Sequence, residues 1–152
     1  MVSSQARVSR PEAVVAMARH HSWQRRSLRS TAEIFPVIET VAAAMAAEGY
    51  TDRDVFGMRL SLEEALVNAI KHGHHYDPSK QVRVRYQVGT QQAVVEVVDE
   101  GKGFDLHQVP DPLTQENLQR SSGRGVYLMR HYMTWVRCNK KGNCLTLCKC
   151  RS

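Results

Sequence analysis

The sequence predicts an α+β domain in which helices cover one face of a mainly antiparallel sheet. Two observations lead there. Segments of alternating apolar and polar residues come in adjacent pairs, and two long segments with apolar residues every three or four positions stand together. Their order is strand, two helices, two strands, a long loop, a helix and two strands. Such runs give α+β rather than the alternation of a parallel sheet. At 152 residues the chain is one domain by length, with room for a core.

Composition narrows the class. Hydrophobic residues at 42% and charged residues at 24% are ordinary for a soluble globular chain. The longest apolar run, Val41 to Ala47, is far too short to span a membrane, and the N-terminus lacks the apolar core of a secretory signal. A cytoplasmic protein without membrane contact is expected. The net charge of +6 is uneven, since residues 1 to 30 hold six arginines against one glutamate. Residues 1–22 therefore read as a basic extension ahead of a domain at 23–152. Nucleic acid is not an expected partner, because no base-stacking aromatic motif accompanies the basic arm. Cys138, Cys144, Cys148 and Cys150 lack zinc-site spacing and read as reduced thiols; the last three share strand parity.

Each element has its own signal. Within the extension, Pro11 to Ala18 reads as a short helix with Pro at its first turn. Trp23 to Ser30 reads as a basic edge strand. Thr31 to Glu48 is a helix capped by Thr31 and stopped by Gly49, with Ile34, Phe35, Ile38, Val41 and Met45 as its buried stripe. Asp52 or Asp54 is expected to cap the next helix, whose core stretch runs from Arg59 to Gly73. Leu62, Ala65, Leu66, Ala69 and Ile70 form its apolar stripe. Asp77 to Lys80 is a turn, Gln81 to Val88 a half-exposed strand, and Ala93 to Val98 a more buried one. Residues 105 to 122 form a long excursion with Pro110, Pro112 and a short polar helix near Thr114 to Arg120. Gly125 to Met133 is a helix. Trp135 to Asn139 and Asn143 to Lys149 form a final hairpin around Lys140 to Gly142.

Three stretches carry chemistry. In the central helix, Glu64, Asn68 and His72 fall four residues apart on one face, with Lys71 beside them. A carboxylate can take a proton, an amide oxygen suits a hard cation such as Mg²⁺, and a lysine suits phosphate. Asp99, at a strand end, can accept from an exocyclic amine, and Gly101 and Gly103 let backbone pass close to a flat base. Ser122, Gly123, Arg124 and Gly125 lead into a helix, where free backbone N–H groups and a guanidinium suit phosphate. No P-loop or dinucleotide fingerprint is present. His74 and His75 read as the end of a helix rather than as metal ligands.

These residues resemble a known family. Glu64-Ala-Leu-Val-Asn68-Ala-Ile-Lys-His-Gly73, Asp99-Glu-Gly-Lys-Gly103 and Gly123-Arg-Gly125 are similar to the three nucleotide boxes of the GHKL ATPases. The small size and the run from Pro110 to Met129 resemble, more narrowly, the stand-alone anti-sigma-factor serine kinases of the RsbW and SpoIIAB type. The resemblance covers about residues 23 to 150. It implies the Bergerat fold, a two-layer α/β sandwich with a mainly antiparallel mixed sheet, and ATP and Mg²⁺ as cofactors. It also implies Glu64 as general base, Asn68 as Mg²⁺ ligand, Asp99 at the adenine amine, and Gly101 and Gly103 in the base pocket. Gly123, Arg124 and Gly125 would belong to a mobile lid over the phosphates; Lys71 and Ser122 are expected on the nucleotide from their own chemistry. The implied function is an ATP-dependent protein serine/threonine kinase. It would hold a sigma factor and phosphorylate a small antagonist protein in partner-switching control of transcription. A homodimer is compatible with this. The competing expectation is an ATP- or ADP-sensing module that sequesters a partner without transferring phosphate.

Overall fold

The computed structural model describes residues 22–73, 77, 79–101 and 121–152. Five strands, β1 (Gln24–Leu28), β2 (Val82–Val88), β3 (Gln92–Val98), β4 (Trp135–Cys138) and β5 (Cys144–Cys150), lie in the spatial order β1-β2-β3-β5-β4. All four pairings are antiparallel, so the sheet among the described residues is wholly antiparallel rather than mixed. The reversal at the β4–β5 hairpin, where Gly142 takes a φ of 77°, produces this by returning β5 against β3. The extension through residue 21, the excursion at 105–120, His74, His75 and Gly103 lie outside the described residues.

Period-2 patterning sorts the sheet. Val82, Val84, Tyr86 and Val88 of β2, Ala93, Val95 and Val97 of β3, and Leu145 and Leu147 of β5 are buried in one cluster with the helices. The alternate residues, Arg83, Arg85 and Gln87 among them, face the other way and are partly or fully solvated. Helices α1 (Ile34–Ala47), α2 (Asp52–Asn68) and α3 (Ser121–Tyr132) cover the buried face.

Helix entries differ in detail from expectation. A 3-10 turn, Thr31–Glu33, precedes α1, and Ser30 rather than Thr31 is its N-cap. The Glu33 carboxylate closes the turn by accepting from the backbone N–H groups of Arg29 and Ser30. In α1 the buried stripe is Ile34, Val37, Ile38, Val41, Ala42 and Met45. Phe35 falls outside that arc and is 69% exposed, which corrects its place in the core. Gly49, at a φ of 85°, ends the helix where an L side chain would be strained.

Thr51, not Asp52 or Asp54, caps α2. Its hydroxyl accepts from Asp54 N–H at 3.1 Å, and Asp54 sits three residues in as the reciprocal partner. The expected apolar stripe, Leu62, Ala65, Leu66, Ala69 and Ile70, is buried throughout. After Asn68 the α-helix widens into a π-helical turn, Ala69–Gly73.

Candidate functional site

On α2 the residues Gly57, Ser61, Glu64 and Asn68 are spaced four, three and four apart, which stacks them along one flank. That flank meets α3. A Cβ on Gly57 would lie 3.0 Å from Cβ of Tyr132, and a Cβ on Gly125 would lie 2.7 Å from Glu64 Oε2 and 3.5 Å from Asn68 Nδ2. The two glycines thus let α3 cross α2 closely, and the second brings the third sequence motif onto the first.

Glu64 is half-buried and has no ion-pair or hydrogen-bond partner among the described residues. Burial, with a smaller push from neighbouring Glu63, raises its carboxyl above the ordinary range. A carboxylate held this way favours accepting a proton or facing a cation. Asn68, also half-buried, is the last α-helical residue. Beyond it the turn bonds i to i+5, so the expected row through His72 loses its α spacing, and Lys71 is exposed. The side chain of His72 lies outside the described residues.

Asp99 follows β3. Its N–H donates to the Asn143 carbonyl at 2.9 Å, while Asn143 Nδ2 donates to the Asp99 carbonyl at 3.3 Å. Its carboxylate accepts from Gly101 N–H at 2.7 Å, an Asx turn that orients the side chain at the strand end. Ser122, Gly123, Arg124 and Gly125 are all within α3, which starts at Ser121, four residues before the helix expected from the sequence. The glycines therefore lie in the first turns rather than ahead of them. The side chains of Ser122 and Arg124 are outside the described residues.

The four cysteines are free thiols, and no group of three metal-ligating side chains occurs among the described residues. Cys144, Cys148 and Cys150 do share one sheet face, opposite Val98, Val94 and Gln92. Burial pushes the Cys144 thiol up to about 11 and that of Cys148 up to about 12, so both stay protonated and unreactive.

Three residues escaped the sequence reading. Gly57 had a signal, a lone glycine inside a helical pattern, which usually has a packing reason. Asn143 had none, because its partner Asp99 is 44 residues away. Ser61 had none either; its hydroxyl is fully buried on the α3-facing flank without a hydrogen-bond partner among the described residues.

The donor set fits a metal-nucleotide. A carboxylate and an amide converge on a glycine where a side chain would displace the carboxylate, and a second carboxylate is fixed at a strand end. No helix among the described residues is long and apolar enough to cross a membrane.

Comparison with known proteins gives the family. The profile of the histidine kinase-like ATPase domain matches residues 28–149. Serine-protein kinase RsbW of Bacillus subtilis is 30% identical over 105 residues, covering 64% of this chain and 65% of the relative. The anti-sigma F factor of Geobacillus stearothermophilus is 34% identical over 113 residues, covering 72% of this chain and 76% of the relative. That of Clostridium beijerinckii is 29% identical over 107 residues, covering 68% and 74%. The chain thus spans just under two thirds of the length of the RsbW proteins it matches, and the family profile reaches from the end of β1 into β5. With that profile match over most of its length, this chain belongs to the histidine kinase-like ATPase domain family.

Proposed function

We propose that the protein is an ATP-dependent protein serine/threonine kinase and anti-sigma factor, phosphorylating a small antagonist protein in partner-switching control of transcription. The observation that carries this reading is the approach of Gly125 to Glu64 and Asn68, which brings a carboxylate, an amide and the glycine-rich stretch to one place. The names of the relatives, a serine-protein kinase and anti-sigma F factors, support the substrate and partner classes.

ATP with Mg²⁺ would supply the transferable phosphoryl group and neutralise its charge. The chain's own residues do the rest. Asn68 would offer its side-chain oxygen to the cation, and Asp99 would accept from the adenine amine. Gly101 and Gly103 would border the base, and Lys71, Ser122, Gly123 and Arg124 would serve the phosphates. Glu64 takes the proton of the incoming serine or threonine hydroxyl; its raised affinity for protons suits that task at neutral pH. Such a protein would work in the cytoplasm.

The test is phosphate transfer to the antagonist. Glu64→Gln should slow transfer by about 10²- to 10⁴-fold with ATP binding nearly intact, the usual worth of a positioned base. Asn68→Ala should lose Mg-ATP binding and transfer together. Exposed Glu63 points elsewhere on α2, so Glu63→Gln should be nearly silent. Full activity in Glu64→Gln would remove the base from this mechanism. Binding without transfer in the unaltered protein would make it a nucleotide-gated binder instead. Asp99→Asn tests the adenine role separately: calorimetry should show severe loss of ATP affinity and weaker discrimination against GTP.

A further inference from the structure

The face of the sheet turned away from the helices concentrates positive charge. Register places Arg25 directly opposite Arg85, Arg85 opposite Glu96, Glu96 opposite Thr146, and Thr146 opposite Arg137, a single row across all five strands. Arg83 stands two residues along from Arg85 on the same face, opposite Ser27. Among the described residues, four arginines thus share this face with one glutamate. That glutamate is committed: Arg85 Nε donates to Glu96 Oε2 at 2.7 Å, and the Cys144 thiol donates to Oε1 at 3.4 Å. Arg25 and Arg83 have no carboxylate partner among the described residues. With Arg85, Ser27, Glu96 and Val98 they border a cleft of about 310 Å³ between β1, β2 and β3.

Glu96 offsets the charge of Arg85, which leaves Arg25 and Arg83 as a local excess of positive charge on one sheet face, a surplus that an anion would relieve. We propose that this cleft is a docking site for an acidic segment of a partner protein, whose Asp or Glu carboxylates pair with Arg25 and Arg83. The guanidinium fork matches a carboxylate in a way that a diffuse counterion does not exploit. A second copy of this chain would bring the same sign of charge to the face. A nucleic acid would need open aromatic faces and a continuous basic track. Here the Arg85 guanidinium lies 4.4 Å from the centre of the Trp23 ring, Arg137 lies 4.4 Å from that of Trp135, and Glu96 interrupts the row. The site is on the side of the sheet opposite α2 and α3, so it does not depend on the nucleotide reading.

The probe is a fluorescein-labelled peptide of alternating Glu and Ser, titrated with the full chain and followed by anisotropy. A Lys-Ser peptide and a single-stranded oligonucleotide of equal length serve as comparators. The Glu-Ser peptide should bind best, with affinity falling as salt rises. The double variant Arg25→Glu with Arg83→Glu should weaken it by roughly tenfold or more. Arg53→Glu, an exposed charge on α2, should leave it unchanged. The double variant should melt at the same temperature as the parent or higher, because a like-charge pair has become an opposite one. Four results would overturn the proposal: no preference for the Glu-Ser peptide, tighter binding of the oligonucleotide, equal loss in Arg53→Glu, or a lower melting temperature in the double variant. Self-association abolished by the double variant would overturn it too.

Discussion

Gly125 shows how one missing side chain can serve chemistry at the expense of local stability. A glycine inside a helix costs about 0.5–1 kcal/mol relative to alanine. Here its Cβ position is 2.7 Å from Glu64 Oε2, so an alanine and the carboxylate cannot both keep their places. The carboxylate is the end of a flexible side chain and would swing aside cheaply. Gly125→Ala should therefore leave thermal stability unchanged or slightly raised, while phosphate transfer falls by roughly tenfold or more as the base is misplaced. Differential scanning fluorimetry beside a transfer assay checks both halves; retained transfer would mean the glycine does not keep room for Glu64. The protonation of Glu64 gives a second prediction. Burial holds its carboxyl above the ordinary 4.5, so the charged form is disfavoured by folding. Its contribution to stability is full below the unfolded value and is lost as pH rises through the raised folded value. Glu64→Gln should then melt higher than the parent at neutral pH, with the difference vanishing below about pH 4.

The close crossing of α2 and α3 rests on Gly57 as much as on Gly125. A Cβ on Gly57 would meet Cβ of Tyr132 at 3.0 Å and Cδ1 at 3.1 Å. Cβ is tied to the backbone of α3, so α3 must give by a few tenths of an ångström. Gly57→Ala should cost about 1–2 kcal/mol net, the overpacking penalty less the helix-propensity gain, and should lower activity by tilting α3 away from Glu64. Urea unfolding of the variant measures the first; an unchanged midpoint would mean the crossing tolerates the methyl. What was legible in the sequence follows from range. β2 and β3 alternate on a period of two and the α2 stripe repeats every three or four residues, so periodicity alone found them, and it put Glu64 and Asn68 on one face. The crossing itself joins Gly57 to Tyr132, 75 positions apart, and no local pattern carries that. Helix ends failed for a related reason. Ser30 and Thr31, or Thr51, Asp52 and Asp54, are all good caps, and the choice was made by where Glu33 and the buried Asp54 find partners. Phe35 misled because hydrophobicity was read without the full arc that Val37 and Ala42 complete.

Across the whole molecule, the last described residues close the fold onto its first helices. Arg151 N–H donates to the Gln91 carbonyl at 2.8 Å, and its guanidinium donates to the Glu48 and Thr90 carbonyls at 3.2 and 3.4 Å. Asp54, fully buried at the start of α2, anchors the closure. Ser152 N–H donates to its Oδ2 at 2.9 Å and the Ser152 hydroxyl to its Oδ1 at 2.5 Å, with Lys149 Nζ at 3.7 Å and Thr51 N–H at 3.4 Å. Burial alone would raise this carboxyl, but the bonds from Ser152 and Thr51 outweigh it and hold it below the ordinary 3.8. The sign is opposite to that of Glu64. A depressed folded value gives stability that is present above the unfolded value and lost as pH falls through the folded one. Asp54→Ala removes the helix cap's reciprocal partner and the acceptor of the Ser152 bonds, so it should cost about 1–3 kcal/mol at neutral pH. Lys149→Met, which removes only a 3.7 Å ion pair, should cost less. Urea unfolding at neutral pH and again below about pH 3 tests the set, since protonation in the parent should narrow its gap to Asp54→Ala in acid. A gap that stays constant would mean the loss is one of packing, and a larger cost for Lys149→Met would mean that the ion pair, not the hydrogen bonds from Ser152, closes the fold.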